Sequence, residues 1–147
     1  MSQTLRIGVI GATGQGGYGH GLDSAFRQVP GTKLVAVADP NREAGQKKAR
    51  ELGAENSHTD FRRMLANEQL DIVCIGPRWL PHRVEMVEAA AEAGCHIYCE
   101  KPFAADLVSA DRMHSACRQA KVKLAMAHQW RAMPPIRRAL QDIASGR

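Results

Sequence analysis

The chain has 147 residues, of which 44% are hydrophobic and 24% are charged, a composition typical of one soluble globular domain. Its net charge of +5 is spread over separate segments, and it has only two Trp, two Tyr and three Phe, whereas a nucleic-acid-binding surface needs basic stripes interleaved with aromatic side chains. No apolar run approaches the roughly 20 residues that span a bilayer, so we expect neither nucleic acid nor membrane as a partner.

Five short apolar runs predict β-strands. Near-continuous apolar runs rich in β-branched residues are typical of strands that are buried on both faces of a parallel sheet. The first run begins within a few residues of Met1, so we expect no signal peptide and a cytoplasmic location. The predicted strands are LRIGVIG (5–11), KLVAVAD (33–39), DIVCIG (71–76), HIYCE (96–100) and VKLAMAH (122–128).

Helical patterns with recognisable ends lie between these runs. Asn41 and Asp106 are suitable N-cap residues, and Gly53 and Gly94 are helix stop signals. The alternating order predicts an α/β fold of the Rossmann type, a doubly wound parallel sheet in three layers α-β-α with the first strand near its centre. One helix is expected directly after the first strand, and others over 41–53, 60–66, 81–94, 106–120 and 134–146.

The loop GATGQGG separates the first predicted strand from the helix expected after it. Glycines at such a place allow a sharp turn and let backbone amides approach a pyrophosphate, which then lies at the helix N-terminus. The spacing is GxxGxxG rather than GxGxxG, with one extra residue between the first two glycines. We predict that a dinucleotide binds here, on Gly11, Thr13, Gly14, Gly16 and Gly17.

The GATG sequence is also similar to that of atypical short-chain dehydrogenases and related regulators. Active reductases of that kind usually need a Tyr-x-x-x-Lys pair. Here Tyr18 is followed four residues later by Leu22, and Tyr98 by Pro102. An active enzyme of that kind is therefore disfavoured, while a regulator of that kind remains an alternative.

Asp39 ends the second predicted strand, in the sequence VAVADPN. A carboxylate at this place can accept hydrogen bonds from the two hydroxyls of an adenosine ribose, and it repels a 2′-phosphate. We therefore predict NAD rather than NADP as the cofactor. Arg42 could pair with a 2′-phosphate, but an exposed position on the following helix is the more ordinary interpretation.

The fourth predicted strand ends in Glu100, Lys101 and Pro102, where turn residues such as Gly, Asn or Asp are more usual. A lysine next to a proline at the carboxyl end of a parallel strand lies where such sheets bind ligands. We interpret Lys101 as a functional residue. The alternative is a surface lysine beside an incidental proline.

The cysteines and histidines do not predict a metal site. The four cysteines form no CxxC pair and are typical of free thiols in a reducing compartment. His82 and Glu85 are one helical turn apart, but a single pair is not a metal site. We expect no resident metal.

Three segments resemble those of one enzyme family. AGCHIYCEKPFA resembles the segment AGKHVxxEKP, which contains the position of Lys101. GPRWLPH resembles the loop TPNxxH, with Pro77 and His82 at matching places. AMAHQWRAMPP resembles GYxxRFxP, with Arg131 and Pro134 in the corresponding places. These motifs are those of the Gfo/Idh/MocA family, named after glucose–fructose oxidoreductase, inositol dehydrogenase and a rhizopine catabolism protein.

Proteins of this family are two-domain, nicotinamide-dependent oxidoreductases that act mostly on sugars, inositols and related polyols. The resemblance implies that residues 1–147 form the NAD(P)-binding Rossmann domain. It places most of the substrate pocket in a second domain that is absent from this chain, so we expect little turnover from the chain alone. It also allows a homo-oligomer.

The resemblance implies a role for each residue of the Glu-Lys-Pro motif. The lysine at the position of Lys101 hydrogen-bonds the reacting substrate oxygen and helps to move its proton as hydride passes to or from the nicotinamide. Glu100 positions it, and the Lys101–Pro102 peptide bond is expected to be cis. The residues expected beside the cofactor in the later loops are Gly76, Pro77, His82, Glu100 and Arg131.

The sequence leaves another class of function open. A non-catalytic NAD-binding or sensing protein would contain the same glycine loop and the same acidic residue after the second strand. Substrate identity and reaction direction do not follow from these residues.

Overall fold

The computed structural model describes residues 4–147. Six strands form one sheet in which every pair of neighbours is parallel, in the order β3-β2-β1-β4-β5-β6. Chain order reverses between β1 and β4, so β1 is central as predicted. The strands are β1 (Leu5–Ile10), β2 (Thr32–Ala38), β3 (Asn56–His58), β4 (Ile72–Ile75), β5 (His96–Cys99) and β6 (Leu124–Met126).

Five α-helices connect or follow the strands, and their caps follow the predicted pattern. The Asn41 side chain accepts a hydrogen bond from the amide of Ala44, and the Asp106 side chain accepts one from the amide of Ser109. Gly53 ends the first helix in the left-handed region, at φ 71°. The helices are α1 (Arg42–Leu52), α2 (Phe61–Asn67), α3 (Arg83–Glu92), α4 (Leu107–Gln119) and α5 (Pro134–Ala144), with a 3₁₀ turn at Gln129–Ala132 before α5.

The helix predicted directly after the glycine loop is wrong. The chain between β1 and β2 runs in consecutive turns instead. Gly19 and Gly21 have φ 73° and φ 86°, which a right-handed helix cannot contain. The amide of His20 donates to the Glu100 side chain rather than to a helical carbonyl. A long-range contact therefore replaces the first turn of the predicted helix.

Strand β3 is absent from the predicted strands for a simple physical reason. It has only three residues, Asn56, Ser57 and His58, and none of them is apolar. It lies at the edge of the sheet, where a strand does not need two apolar faces. Hydrophobic patterning cannot detect such a strand.

Apolar side chains cover both faces of the sheet, which confirms the three-layer arrangement. On one face, α2, α3 and α4 contribute Met64, Val87 and Met113 to the larger buried cluster. On the other face, α1 and the turns between β1 and β2 pack on a smaller cluster, to which Leu52 and Phe26 belong. The turns thus occupy the layer in which a helix was predicted.

All four cysteines, at positions 74, 95, 99 and 117, are free and buried. Burial raises the pKa of the Cys95 thiol to about 11, and burial likewise raises the pKa of Cys99 to about 11. These thiols are core side chains with little thiolate character near neutral pH.

In the described residues, no helix combines the length and apolarity required to cross a membrane.

Candidate cofactor and active site

Several of the predicted site residues line cavities at the carboxyl ends of the parallel strands, and these cavities together are called the crevice below. A cavity of about 260 Å³ lies at one end, where β1 and β2 stop, and an open cavity of about 760 Å³ lies at the other, beyond β5. The first is lined by residues that include Gly11, Ala12, Gln15, Asp39 and His82. The second is lined by residues that include His20, Lys101, His128, Trp130 and Arg131. Of the predicted residues, Gly11, Asp39 and His82 therefore lie at the first cavity, and Lys101 and Arg131 lie at the second.

Asp39 is wholly buried, and it ties the glycine loop to the end of β2. Its Oδ2 accepts hydrogen bonds from the Thr13 amide at 3.1 Å and the Thr13 hydroxyl at 2.7 Å. Its Oδ1 accepts one from the amide of Asn41 at 2.8 Å. A carboxylate has about four acceptor positions, and these contacts occupy three of them. The contact with Thr13 is a feature that the sequence did not reveal.

Tyr18 explains why position 11 is a glycine. Its ring occupies the space that a side chain at Gly11 would need. The Tyr18 hydroxyl is buried and has no hydrogen-bond partner in the described chain. Burial, reinforced by the negative charge of Asp39, raises the pKa of Tyr18 above its usual value. The phenol is therefore a neutral packing group below the glycine loop.

The remaining loop glycines differ in what they contact. A Cβ on Gly16 would lie 2.5 Å from the Arg78 amide nitrogen, so Gly16 packs on the loop after β4. Gly17 is bonded to Ala12 through both its amide and its carbonyl. Within residues 4–147, the amides of Gly14 and Gly16 make no hydrogen bond, so they are free for a ligand. These two amides, rather than those of Gly11, Thr13 and Gly17, are the candidate pyrophosphate donors.

Glu100 is wholly buried, and it joins the turns that follow the glycine loop to Lys101. Its Oε2 accepts a hydrogen bond from the His20 amide at 2.7 Å and lies 3.4 Å from His20 Nδ1. Its Oε1 accepts one from the Lys101 amide at 3.0 Å. The bond between Lys101 and Pro102 is cis, as the resemblance implied. The Glu100 carboxylate thus binds the backbone amides of His20 and Lys101 and holds these two parts of the chain together.

Lys101 itself is exposed and faces the open cavity. No ion pair joins its ammonium to a carboxylate anywhere in residues 4–147. The neighbouring groups that can carry positive charge are His20, His128 and Arg131, all in the wall of the same cavity. The Lys101 ammonium is therefore free to donate to a ligand.

His82 and the loop before it complete the crevice. His82 occupies the N-cap position of α3 but makes no side-chain cap hydrogen bond. It lines the 260 Å³ cavity and, with Pro77, a neighbouring cavity of about 200 Å³. Gly76 packs against the Tyr18 backbone, where a Cβ would lie 2.8 Å from a carbonyl carbon.

His82 and Glu85 are the pair whose spacing could suit a metal ion. Their closest nitrogen and oxygen atoms are 3.8 Å apart, an ion-pair distance between exposed side chains. Among the residues that the structure describes, no three His, Cys, Asp or Glu side chains converge on one point.

Arg83 is the site residue that the sequence reasoning missed. It is the first residue of α3, and its guanidinium is buried among backbone carbonyls around Lys101. The helical periodicity could have indicated that Arg83 is buried, because it shares a face of α3 with the buried Val87, Ala90 and Ala91.

Gly19 lies close to Glu100, and a substitution there tests how tightly the two are packed. A Cβ there would overlap Glu100 Oε2 and lie 3.0 Å from the Gly76 carbonyl, whereas Gly21 has the same left-handed backbone and open space around it. Gly19→Ala is expected to lower the free energy of unfolding by about 1–3 kcal/mol more than Gly21→Ala. Urea denaturation of both variants measures the difference. Equal losses would show that the contact with Glu100 is not tight.

The sequence profile of the oxidoreductase family with an NAD-binding Rossmann fold matches residues 5–128. The chain belongs to the Gfo/Idh/MocA family. A Gfo/Idh/MocA cofactor domain accounts for the strand order, the glycine loop after β1 and the Glu-Lys-Pro motif after β5. The family is described as one with an NAD-binding Rossmann fold, so the matched residues form an NAD-binding domain.

Similar proteins include characterised sugar dehydrogenases. The chain is 38% identical over 125 residues to D-apiose dehydrogenase of Paraburkholderia graminis, which covers 83% of this chain and 33% of that protein. It is 33% identical over 153 residues to levoglucosan dehydrogenase of Pseudarthrobacter phenanthrenivorans, and the match covers 98% of this chain and 38% of that protein. The crystal structure of myo-inositol 2-dehydrogenase from Lactobacillus plantarum matches with a TM-score of 0.83 and 27% identity, covering 98% and 42%. The chain thus spans little more than a third of the length of these proteins.

Proposed function

We propose that this chain is the cofactor-binding and lysine-bearing part of an enzyme that oxidises or reduces a sugar, inositol or related polyol. The observation that carries the proposal is that Asp39 and Lys101 line two separate cavities along the same carboxyl edge of the sheet. Asp39 lies at the end where β2 stops, Lys101 lies beyond β5, and the free amides of Gly14 and Gly16 belong to the loop after β1.

The residues present suit NAD. Asp39 retains one acceptor position for a ribose hydroxyl, and its negative charge opposes a 2′-phosphate. The amides of Gly14 and Gly16 would hold the pyrophosphate. NAD, when bound, supplies the acceptor or donor of the hydride. His82, Pro77 and the backbone near Gly76 form the wall beside it.

Lys101 carries the acid–base chemistry in this proposal. Its ammonium donates a hydrogen bond to the reacting oxygen, gives up a proton when a carbonyl is reduced, and regains it when a hydroxyl is oxidised. Glu100 keeps the Lys101 backbone in place through the hydrogen bond to its amide. Arg131 lies in the same cavity and adds positive charge on the cofactor side.

We further propose that the substrate is held by residues outside this chain. The cavity at Lys101 is open and has about 760 Å³ of space, and the similar dehydrogenases are more than twice as long. D-Apiose, levoglucosan and myo-inositol appear in the names of similar proteins, and they form a test panel of neutral sugars and polyols.

We also propose that the protein forms a homo-oligomer and is located in the cytoplasm. Four buried free thiols support the cytoplasmic location.

Cofactor preference provides the test at the adenosine end. The chain should bind NAD more tightly than NADP, and Asp39→Asn should narrow the ratio of the two dissociation constants by at least about tenfold. The substitution keeps the shape of the side chain but removes the charge that repels a 2′-phosphate. Isothermal titration calorimetry of both cofactors measures the ratio.

Glu43→Gln is the matched control, because Glu43 is an exposed carboxylate in the first turn of α1. It should leave the ratio unchanged. If the unmodified chain prefers NADP, the assignment of Asp39 is wrong.

A non-catalytic NAD-binding or sensing protein is the second candidate. The observation that favours it is that the cavity beside Lys101 is open, so the described residues do not enclose a substrate there. Such a protein would bind NAD and convert none of the panel compounds in any form that contains this chain. Turnover of any panel compound by the protein would exclude it.

A further inference from the structure

Arg83 makes an unusual set of contacts for a residue at a helix start. Its Nη1 donates to the carbonyls of Glu100 and Pro102, the latter at 2.8 Å, and lies 3.2 Å from Cys99 Sγ. Its Nη2 donates to the carbonyl of Pro77. Only 1% of the residue is exposed. One guanidinium therefore joins α3 to the loops that follow β4 and β5.

This placement is unfavourable for an isolated charge. The N-terminus of a helix has a positive dipole end, which disfavours a cation there. The guanidinium is buried without an ion pair to any carboxylate of residues 4–147, and its Nε has no partner. Even buried ion pairs can often be replaced by apolar side chains without loss of stability, and Arg83 has no partner carboxylate among residues 4–147. Folding stability alone is therefore a weak explanation for Arg83.

The bonded carbonyls indicate what Arg83 does. Glu100 and Pro102 are the residues on either side of Lys101, and both of their carbonyls accept from the same nitrogen atom. The Pro77 carbonyl, bound by the other terminal nitrogen, belongs to the loop after β4, in the wall of the crevice. We propose that Arg83 is a positioning residue that sets the backbone of Lys101 relative to the cofactor crevice. This inference rests on the proposed role of Lys101.

Arginine is suited to this task in a way that lysine is not. A guanidinium has donors in a rigid planar fork, so it holds several carbonyls in a defined relative geometry, whereas an ammonium is a single point on a flexible stem. A displacement of about 1 Å in a catalytic group can lower a rate by roughly 10²-fold. Fixing Lys101 on both sides prevents such a displacement.

Amide hydrogen exchange measured by NMR tests the proposal directly. The Lys101 amide donates to Glu100 Oε1, so its protection reports on this arrangement. In Arg83→Met and Arg83→Lys, the Lys101 amide should exchange at least about tenfold faster, while amides of α1 (Arg42–Leu52) keep their rates. The control is Arg112→Met, which removes an exposed arginine that pairs with Glu88 on the surface.

Several outcomes would contradict a positioning role. Faster exchange throughout the sheet and α1 would show that Arg83 only stabilises the fold, as would failure of both variants to fold. An unchanged Lys101 rate in Arg83→Met would show that the carbonyl contacts do not hold Lys101. If Arg83→Met does not fold, the Arg83→Lys variant is the test. A Lys101 amide that exchanges in Arg83→Lys at the rate of the unmodified protein would contradict the argument that the planar guanidinium is needed.

Titration with NAD separates this inference from the proposed function. In the unmodified protein, NAD should shift the Lys101 amide signal. In the Arg83 variants, the change of the Lys101 amide signal at saturation with NAD should be reduced at least about threefold. If NAD leaves the Lys101 signal unchanged in the unmodified protein, the proposed function is wrong and this inference falls with it. If the shift is equal in all variants, only the positioning role is wrong.

Discussion

Lys101→Ala is expected to lower kcat by roughly 10²-fold or more in the active protein and to leave the NAD dissociation constant within about twofold. The ammonium lies in the cavity beyond β5 and is unpaired in the described chain, so its removal takes away the proton donor proposed for the reacting oxygen. The adenosine end and the loop amides are untouched, which is why cofactor binding should persist. Steady-state kinetics on whichever panel compound is converted, with calorimetry for NAD, measures both quantities.

Lys101→Arg should recover little of the lost turnover. A guanidinium stays protonated at neutral pH and cannot take a proton from a hydroxyl, and its planar shape differs from that of an ammonium. Lys123→Ala is the matched control, since Lys123 is an exposed lysine just before β6. Full activity of Lys101→Ala would remove the catalytic role assigned to the Glu-Lys-Pro motif.

Glu100→Gln is expected to lower the free energy of unfolding by about 2–4 kcal/mol. The buried carboxylate accepts hydrogen bonds from the amides of His20 and Lys101, one on each oxygen. A glutamine side chain has only one oxygen, so its NH₂ group would face one of these amides and leave that donor unsatisfied. Because the bond from the His20 amide joins residues 80 apart in sequence, its loss should also loosen the turns that follow the glycine loop.

Urea denaturation measures this loss, with Glu88→Gln as the control. Glu88 forms an ion pair with Arg112 on the surface, where such pairs contribute about 0–1 kcal/mol. A Glu100→Gln variant as stable as that control would show that the two amide contacts contribute little to the fold.

Strands with apolar residues on both faces were predictable, whereas features without a local signal were not. The runs that became β1, β2, β4 and β5 are apolar because both faces of those strands are covered. Strand β3 is polar and lies at the sheet edge, so it carries no such pattern. The helix predicted after β1 does not form, because Gly19 lies against Glu100, and that contact depends on tertiary structure.

The candidate site was predictable in position but not in its internal contacts. Asp39 and Lys101 each follow a parallel strand, so they share the carboxyl edge of the sheet, a rule that needs only strand order. The bond between Thr13 and Asp39 joins residues 26 apart, and that between Arg83 and Glu100 residues 17 apart. Neither separation has a periodicity that a sequence pattern could reveal.

A crystal structure of the protein with NAD bound would test the central claim most directly, that one dinucleotide joins the two ends of this crevice. We expect the adenosine ribose at Asp39, the pyrophosphate on the amides of Gly14 and Gly16, and the nicotinamide in the cavity that contains Lys101. A nicotinamide bound away from Lys101, or a dinucleotide lying in the opposite direction, would contradict the account.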